Sequence, residues 1–346
     1  MRRVTTTFAA HVRTWRPYTL WYVGLVGLAG AALAADRPTV ARLAAAWLVP
    51  TLVWIAAHYL GDYLDRDLDA IAKPQRPIPS GQMRPGTALG CGVALAVGAG
   101  AVALAVNWRV LLVFLAGIGG AVAYNGFFKA RGIWGNLVRG SLTGAAFLCG
   151  ELMTAPAPVP RLLPFVLAFC LHDTASNLVG ALRDVDGDRA GGYRTFAVRH
   201  GLRRGVWTSA GLYAASIAAV VTGLLLVPRH DRFSGVLLVV ATGLGCHAWA
   251  PLVRAGDALS ARTALRSHAT LVVERVVLAA AVLVPGLGAP VTAALVTPML
   301  LVTAASQRLM RTRHEFTPAA RPVLWSAVTS ARRPARTIAP MKEKQP

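Results

Sequence analysis

Acidic residues are scarce in this chain: 15 Asp and Glu stand against 36 Lys and Arg, and charged residues of both signs make up only 15% of the 346. So little charge excludes an ordinary soluble domain, whose surface must present polar side chains to water. Cysteine is nearly absent. Cys91, Cys149, Cys170 and Cys246 lie far apart with no CxxC or Cys/His pairing, which excludes a thiolate metal motif and leaves them as small apolar filling. The start is not expected to be a cleavable leader. The start MRRVTTTFAAHVRTWRP is basic, but the apolar run behind it is long enough to span a bilayer and shows no small-residue cleavage site. Residues 1–17 therefore read as a cytoplasmic lead.

What is present is apolar length. Hydrophobic residues make up 55% of the chain, mean hydropathy is +0.51, and runs near membrane-spanning length recur throughout. The fold class expected is all-α, a polytopic membrane bundle of nine to ten helices within residues 18–306. Spans are predicted at 18–36, 42–64, 87–106, 109–126, 136–153, 161–182, 206–227, 233–253, 267–284 and 287–306. Residues 307–346 read as a basic, disordered cytoplasmic tail.

The net charge of +21 is explained by its placement. With the N-terminus inside, the outward loops hold only Arg37, Arg42, Arg109, Arg161, Arg229 and Arg232, and nearly every other basic residue falls inward. Membrane topology thus accounts for the charge without nucleic acid as a partner, and the basic tail would meet anionic membrane lipids. The protein is expected in a bacterial-type cell membrane with its active site facing the cytoplasm.

Against this background HYLGDYLDRDLDAIAKPQRPIPSG gathers Asp62, Asp65, Asp67 and Asp69 at the inward end of the second span. Spacings of three and four put Asp62, Asp65 and Asp69 on one helix face, where like charges repel unless a cation neutralises them. Asp67 is out of phase and reads as a solvated partner of Arg66 or Lys73. A second cluster, NLVGALRDVDGDRAGGYRTF, follows the sixth span with Asp184 and Asp188 four apart and Asp186 pointing away. Each cluster is followed by basic residues, Lys73 and Arg76 in the first case, Arg189 and Arg194 in the second. The echo four helices apart suggests an internal duplication.

Either cluster alone would read as helix-end acids pairing with loop arginines. Both together, on one side of the membrane, match the binding of a diphosphate through Mg2+, which takes one or two carboxylates and fills its other positions with water and phosphate oxygens. Lys and Arg would hold the remaining phosphate oxygens.

With these residues in view, the sequence resembles the UbiA superfamily of intramembrane prenyltransferases. The family motif NDxxDxxxD with a following RPIPSG turn is matched by Asp62, Asp65, Asp69 and Arg76 to Gly81; the motif DxxDxxGDxxxGxxTLPVxxG is matched by Asp184, Gly187, Asp188, Gly192, Thr195, Val198 and Gly201. Weaker echoes are RPYT at Arg16 and YNGFFKARGIWGN, which is similar to the family's YSxxxK loop and supplies Tyr124 and Lys129. The resemblance implies helices around a central cavity, an isoprenyl diphosphate substrate, Mg2+ on both acidic motifs, and capture of the ionised prenyl group by an acceptor small molecule or lipid. Asp62, Asp65, Asp69, Asp184 and Asp188 would be metal ligands, and Arg76, Lys129, Arg194, Lys73, Tyr124, Asn177 and His58 would contact substrate. Family members have nine spans, whereas this chain has an additional apolar hairpin.

Two positions depart from the motifs. Gly61 replaces the leading Asn and Ala181 the earliest Asp, and His58 and Asn177 offer polar groups one turn deeper on the same faces. His58 reads equally as a metal ligand, a general base, or a structural histidine. Asp173 extends the stripe of Asn177, Ala181, Asp184 and Asp188, and it reads either as a cavity acid or as the partner of His172. A UbiA-type terpene cyclase, which needs no acceptor, is the alternative chemistry on the same site, and a non-catalytic membrane scaffold is the third reading.

Overall fold

Long runs of Ala, Leu, Val and Gly satisfy their backbone groups within themselves, which in lipid leaves the helix as the natural outcome. The structure, a computed structural model, describes residues 2–315. α1 (Arg2–Trp15) leads into α2 (Pro17–Ala34), α3 (Val40–Leu64), the short α4 (Arg66–Ala72), α5 (Pro85–Val106) and α6 (Trp108–Ala123). Then come α7 (Ile133–Thr154), α8 (Leu163–Arg183), the short α9 (Val185–Ala190) and α10 (Phe196–His200), α11 (Leu202–Leu226), α12 (Arg232–Ala255), α13 (Ala261–Leu287), α14 (Ala289–Ser306) and α15 (Thr312–Glu315). Helix starts are marked by the expected residues. Thr39, Asn107, Asp231 and Ser260 accept backbone N–H groups at the heads of α3, α6, α12 and α13, and proline opens α2, α5 and α14.

Among the described residues nine helices are long and apolar enough to cross a membrane. α7 has spanning length, but Asn136, Arg139 and Glu151 lower its apolarity; the first two line the central cavity. It packs against α2 and α8 deep in the bundle. The helices follow one another around that cavity, α3 beside α5, α6 beside α7, α7 beside α8, α8 beside α11 and α12 beside α13, and α13 returns to α2. α14 leans on α13 and α2 from outside. Outward residues such as Val97, Leu112, Val239 and Leu301 are exposed, as lipid-facing positions require, whereas α2 and α13 are mostly buried.

Two differences from the sequence reading bear on the site. The lead is helical as α1, with Arg16 at φ 50° turning the chain into α2. The last helix does not stop at 306: a π-helical turn, Gln307–Arg311, and α15 carry it to Glu315, so these residues are ordered helix and not tail. The remainder of the predicted tail, 316–346, lies outside the described residues.

If α7 crosses with the nine apolar helices, both chain ends lie on one side. A fluorescent protein fused after Pro346 should then glow in the cytoplasm, and an alkaline phosphatase fused there should be inactive. Active phosphatase at that position would mean that one of the ten helices does not cross.

Candidate active site

α3 and α8 end at the same level and in the same way. Asp65 closes α3 at φ −85°, ψ 1°, Asp184 closes α8 at φ −94°, ψ 5°, and a short helix follows each at once. The single face expected for Asp62, Asp65 and Asp69 is therefore divided between α3 and α4. All three still line one cavity of about 480 Å³, and Asp184 and Asp188 line it from the side of α8 and α9. α4 and α9 are neighbours, so the two acidic motifs meet across the cavity mouth. A two-residue parallel pairing, Arg131–Gly132 with Arg194–Thr195, ties the loop carrying Lys129 to the loop after Asp188.

The carboxylates are drawn to cations. Arg16 Nη2 donates to Asp62 Oδ1 at 2.5 Å, and Lys129 Nζ donates to Asp65 at 2.6 Å. Arg76 Nη1 donates to both oxygens of Asp69, at 2.8 and 2.7 Å. Arg183 forks onto Asp184 at 2.8 and 2.6 Å, and Lys73 donates to the same carboxylate at 3.3 Å. Burial alone would raise the Asp184 pKa, but Arg183 and Lys73 hold it below the usual carboxylate range. Asp188 has no ion-pair partner among the described residues. Burial, with the Asp184 charge beside it, pushes its pKa up to about 6.

Most of the residues singled out in the sequence come together. Lys73, Arg76, Tyr124, Lys129, Asn177 and His58 all line the cavity. Asn177 accepts a 2.8 Å hydrogen bond from Asn136, and His58 Nδ1 lies 3.2 Å from the Trp15 carbonyl. That contact requires Nδ1–H to donate, which leaves Nε2 as the basic nitrogen. Asp67 pairs with Arg66 in the open, as expected. Arg194 does not join: it sits exposed in the short strand, off the cavity wall, and Arg183 stands among the cations that line the cavity instead.

Two groups were not legible. Glu315, on the helical extension past α14, lies 3.0 Å from Lys73, 3.2 Å from Arg183 and 3.9 Å from Arg76. Deeper down, His172 pairs with Glu274 at 2.7 Å and not with Asp173, and Tyr213 donates to the same glutamate at 3.1 Å. Adjacent residues of a helix point about 100° apart, so His172 turns to α13 and α11 while Asp173 turns to the cavity.

The donor set suits Mg2+. It is all carboxylate, and among the described residues Asp62 Oδ2 is buried without a hydrogen-bond partner and Asp188 has no cation in an ion pair with it. No preformed cage of three acidic, His or Cys groups exists among the described residues. A hard cation that takes one or two carboxylates from each side and completes its shell with water and phosphate needs none.

The pattern of the UbiA prenyltransferase family matches residues 21–271. This chain belongs to that family. A digeranylgeranylglyceryl phosphate synthase of Natronomonas pharaonis is 32% identical over 238 residues, which is 69% of this chain and 86% of that protein. Among solved structures, a UbiA homolog from Aeropyrum pernix K1 shares the fold with a TM-score of 0.65 at 17% identity, covering 77% of this chain and 97% of that one. A UbiA homolog from Archaeoglobus fulgidus bound to DMAPP and Mg2+ has a TM-score of 0.59 at 17% identity, covering 78% and 98%. As a UbiA-family member the protein is an integral, multi-pass membrane enzyme, a prenyltransferase.

Proposed function

We propose that the cavity binds an isoprenyl diphosphate with its headgroup at the carboxylate rim, ionises it, and passes the prenyl group to a second molecule held deeper. The observation that carries this reading is the pair of Asp-terminated helix ends facing each other across one cavity, each with Lys and Arg in contact. The Archaeoglobus fulgidus homolog bound to DMAPP and Mg2+ supports the donor, and the synthase relatives support a glycerol phosphate lipid among the acceptors.

Asp65, Asp69, Asp184 and Asp188, with Asp62, would hold Mg2+, which when bound would neutralise the diphosphate and favour its departure. Lys73, Arg76, Lys129 and Arg183 line the cavity beside the carboxylates and would donate charge-assisted hydrogen bonds to the phosphate oxygens. The C1–O bond breaks with its electron pair going to the diphosphate. The acceptor's nucleophilic atom then bonds to C1 and loses its proton. His58, on the cavity wall, would receive that proton through Nε2, the nitrogen its contact with the Trp15 carbonyl leaves basic. Apolar side chains such as Val53 and Phe114 exclude water that would otherwise quench the cation. The positive-inside count supports a site on the cytoplasmic side; the relatives are archaeal, so the proposal is of a cell membrane without restriction to a bacterial type.

Purified protein with labelled isoprenyl diphosphate and Mg2+ should consume it only when acceptor is added. Steady release of hydrocarbon or alcohol without acceptor would replace transfer by cyclisation. Removing one of the cations that line the cavity, in Arg76→Ala or Lys129→Ala, should cost about 1.5 to 3 kcal/mol. That corresponds to a kcat/KM lowered roughly ten- to a hundred-fold. Arg194→Ala should leave kcat/KM unchanged, and a loss there equal to that of Arg76→Ala would contradict the placement of the headgroup.

A further inference from the structure

The helical extension past α14 carries a carboxylate into the cations at the cavity rim. Glu315 Oε2 lies 3.0 Å from Lys73 Nζ and 3.9 Å from Arg76 Nη2, and Oε1 lies 3.2 Å from Arg183 Nη1. Both oxygens therefore face cations. Glu315 lines the cavity, and it shares Lys73 and Arg183 with Asp184. One ammonium and two guanidinium groups around a pair of anionic oxygens is also the arrangement that receives a phosphate.

Neutralising these cations does not require Glu315. Without it Lys73 and Arg183 would keep Asp184, and Arg76 would keep Asp69. Asp69 and Asp184 belong to the acidic motifs, whereas Glu315 is the carboxylate on these three cations that comes from outside both. The extension that carries it has a separate seat. Gln75 donates to the His314 carbonyl at 2.9 Å and Gln307 to the Ala269 carbonyl at 3.2 Å, while Arg311 lies 2.6 Å from His268 and 5.3 Å over the Tyr18 ring. No residue of 307–315 belongs to an apolar core of the bundle, and Leu309 is 71% exposed. The hold is polar, and it begins at the π-helical turn Gln307–Arg311, a kind of helix interruption at which helices bend.

A diphosphate headgroup and Glu315 call on the same donors, and two anions held by one set of cations repel each other. We propose that Glu315 is a built-in competitor of the substrate diphosphate: the extension 307–315 latches onto Lys73, Arg76 and Arg183, and the headgroup binds when the extension pivots away at the π-helical turn. This rests on the transfer reading above and adds a gate to its donor site. The apparent affinity for the diphosphate is then reduced by the fraction of molecules in which the latch is open.

Hydrogen exchange of the full-length, unaltered protein in lipid nanodiscs would report the latch directly. With Mg2+ present, geranyl diphosphate and inorganic diphosphate should each speed exchange of the amides of 307–315 about tenfold or more, and geraniol, which lacks the headgroup, should leave them unchanged. Glu315→Gln keeps the size of the side chain and removes its charge. Its Kd for geranyl diphosphate, from calorimetric titration, should fall about 10- to 100-fold, as expected where the latch is open about 1 to 10% of the time. Glu315→Asp, which keeps the charge on a shorter stem, should fall between parent and Glu315→Gln. Exchange in 307–315 that the diphosphates leave unchanged or slow would overturn the proposal, as would an equal response to geraniol. Unchanged or weaker diphosphate binding in Glu315→Gln, or a raised Mg2+ requirement there, would also overturn it and make Glu315 a ligand of substrate or metal. The exchange comparison uses the unaltered protein, so it decides even if Glu315→Gln fails to fold. Failure of the unaltered protein to bind any isoprenyl diphosphate would instead overturn the transfer reading.

Discussion

Replacing Asp188 by Ala should lower turnover of isoprenyl diphosphate by about 10²- to 10³-fold or more, the scale on which one charge-stabilising group is lost from a preorganised site. Asp188 is the cleanest of the five proposed Mg2+ ligands to remove. Asp65→Ala would strand the Lys129 ammonium, and Asp69→Ala would take from the buried Arg76 its bidentate partner, whereas Asp188 has no ion-pair partner among the described residues to orphan. The variant should therefore insert, extract and melt like the parent, and EDTA should reproduce the loss in the parent until Mg2+ is restored. The pH dependence follows from the same residue. Its pKa is raised from 3.8 to about 6, so below pH 6 a proton competes for the carboxylate and the Mg2+ needed for half-maximal rate should rise; above pH 6 that requirement should level off. The sign for stability is opposite. Folding favours the protonated acid, so this group's contribution is present below about pH 4 and is lost as pH rises through 6. Parental turnover in Asp188→Ala would remove it from the metal site.

The helices and the acidic motifs were legible because both are local patterns. Apolar runs set most of the spans to within a few residues, though α13 begins at Ala261 against a predicted 267 and the last helix runs on to Glu315; three- and four-residue spacing picked out the Asp62 to Asp69 and Asp184 to Asp188 groups that line one cavity. What was not legible depends on contacts across the chain. Glu315 meets Lys73 across 242 positions, and His172 meets Glu274 across 102, and neither pairing leaves a trace in spacing. Arg194 failed for a different reason: it follows Asp188 at a plausible distance, but the two-residue strand that joins it to Arg131 turns its side chain outward. Arg183 precedes its acidic cluster, whereas the basic residues read from the sequence were those that follow each one. The spans predicted to end at 64 and 182 do end there to within a residue, but the short helix that follows each at once, which divides Asp62, Asp65 and Asp69 between α3 and α4, has no proline or glycine at Asp65 to announce it.

Gly150→Val should abolish recovery of folded protein. α2 and α7 cross so closely beneath the cavity that a Cβ at Gly150 would overlap the backbone carbonyl of Gly27, and one at Gly30 would overlap the carbonyl of Phe147. Backbone cannot rotate aside as the end of a long side chain can, so two helices would have to separate. Overpacking of a core costs about 1 to 3 kcal/mol even where side chains yield, and more where they do not. Phe147 is fully buried at this crossing and packs on Phe165 and Phe169, so separation would also open the largest core of the bundle. Ala146 and Cys149, on the same stretch of α7, line the cavity, and its lower wall would move with them. Gly98→Val adds the same side chain to α5 where nothing lies within 4 Å, and it should extract as a single peak with an unchanged melting temperature. Size-exclusion profiles of fluorescent fusions would decide the matter. A Gly150→Val protein as monodisperse and thermostable as Gly98→Val would show that α2 and α7 are not in backbone contact.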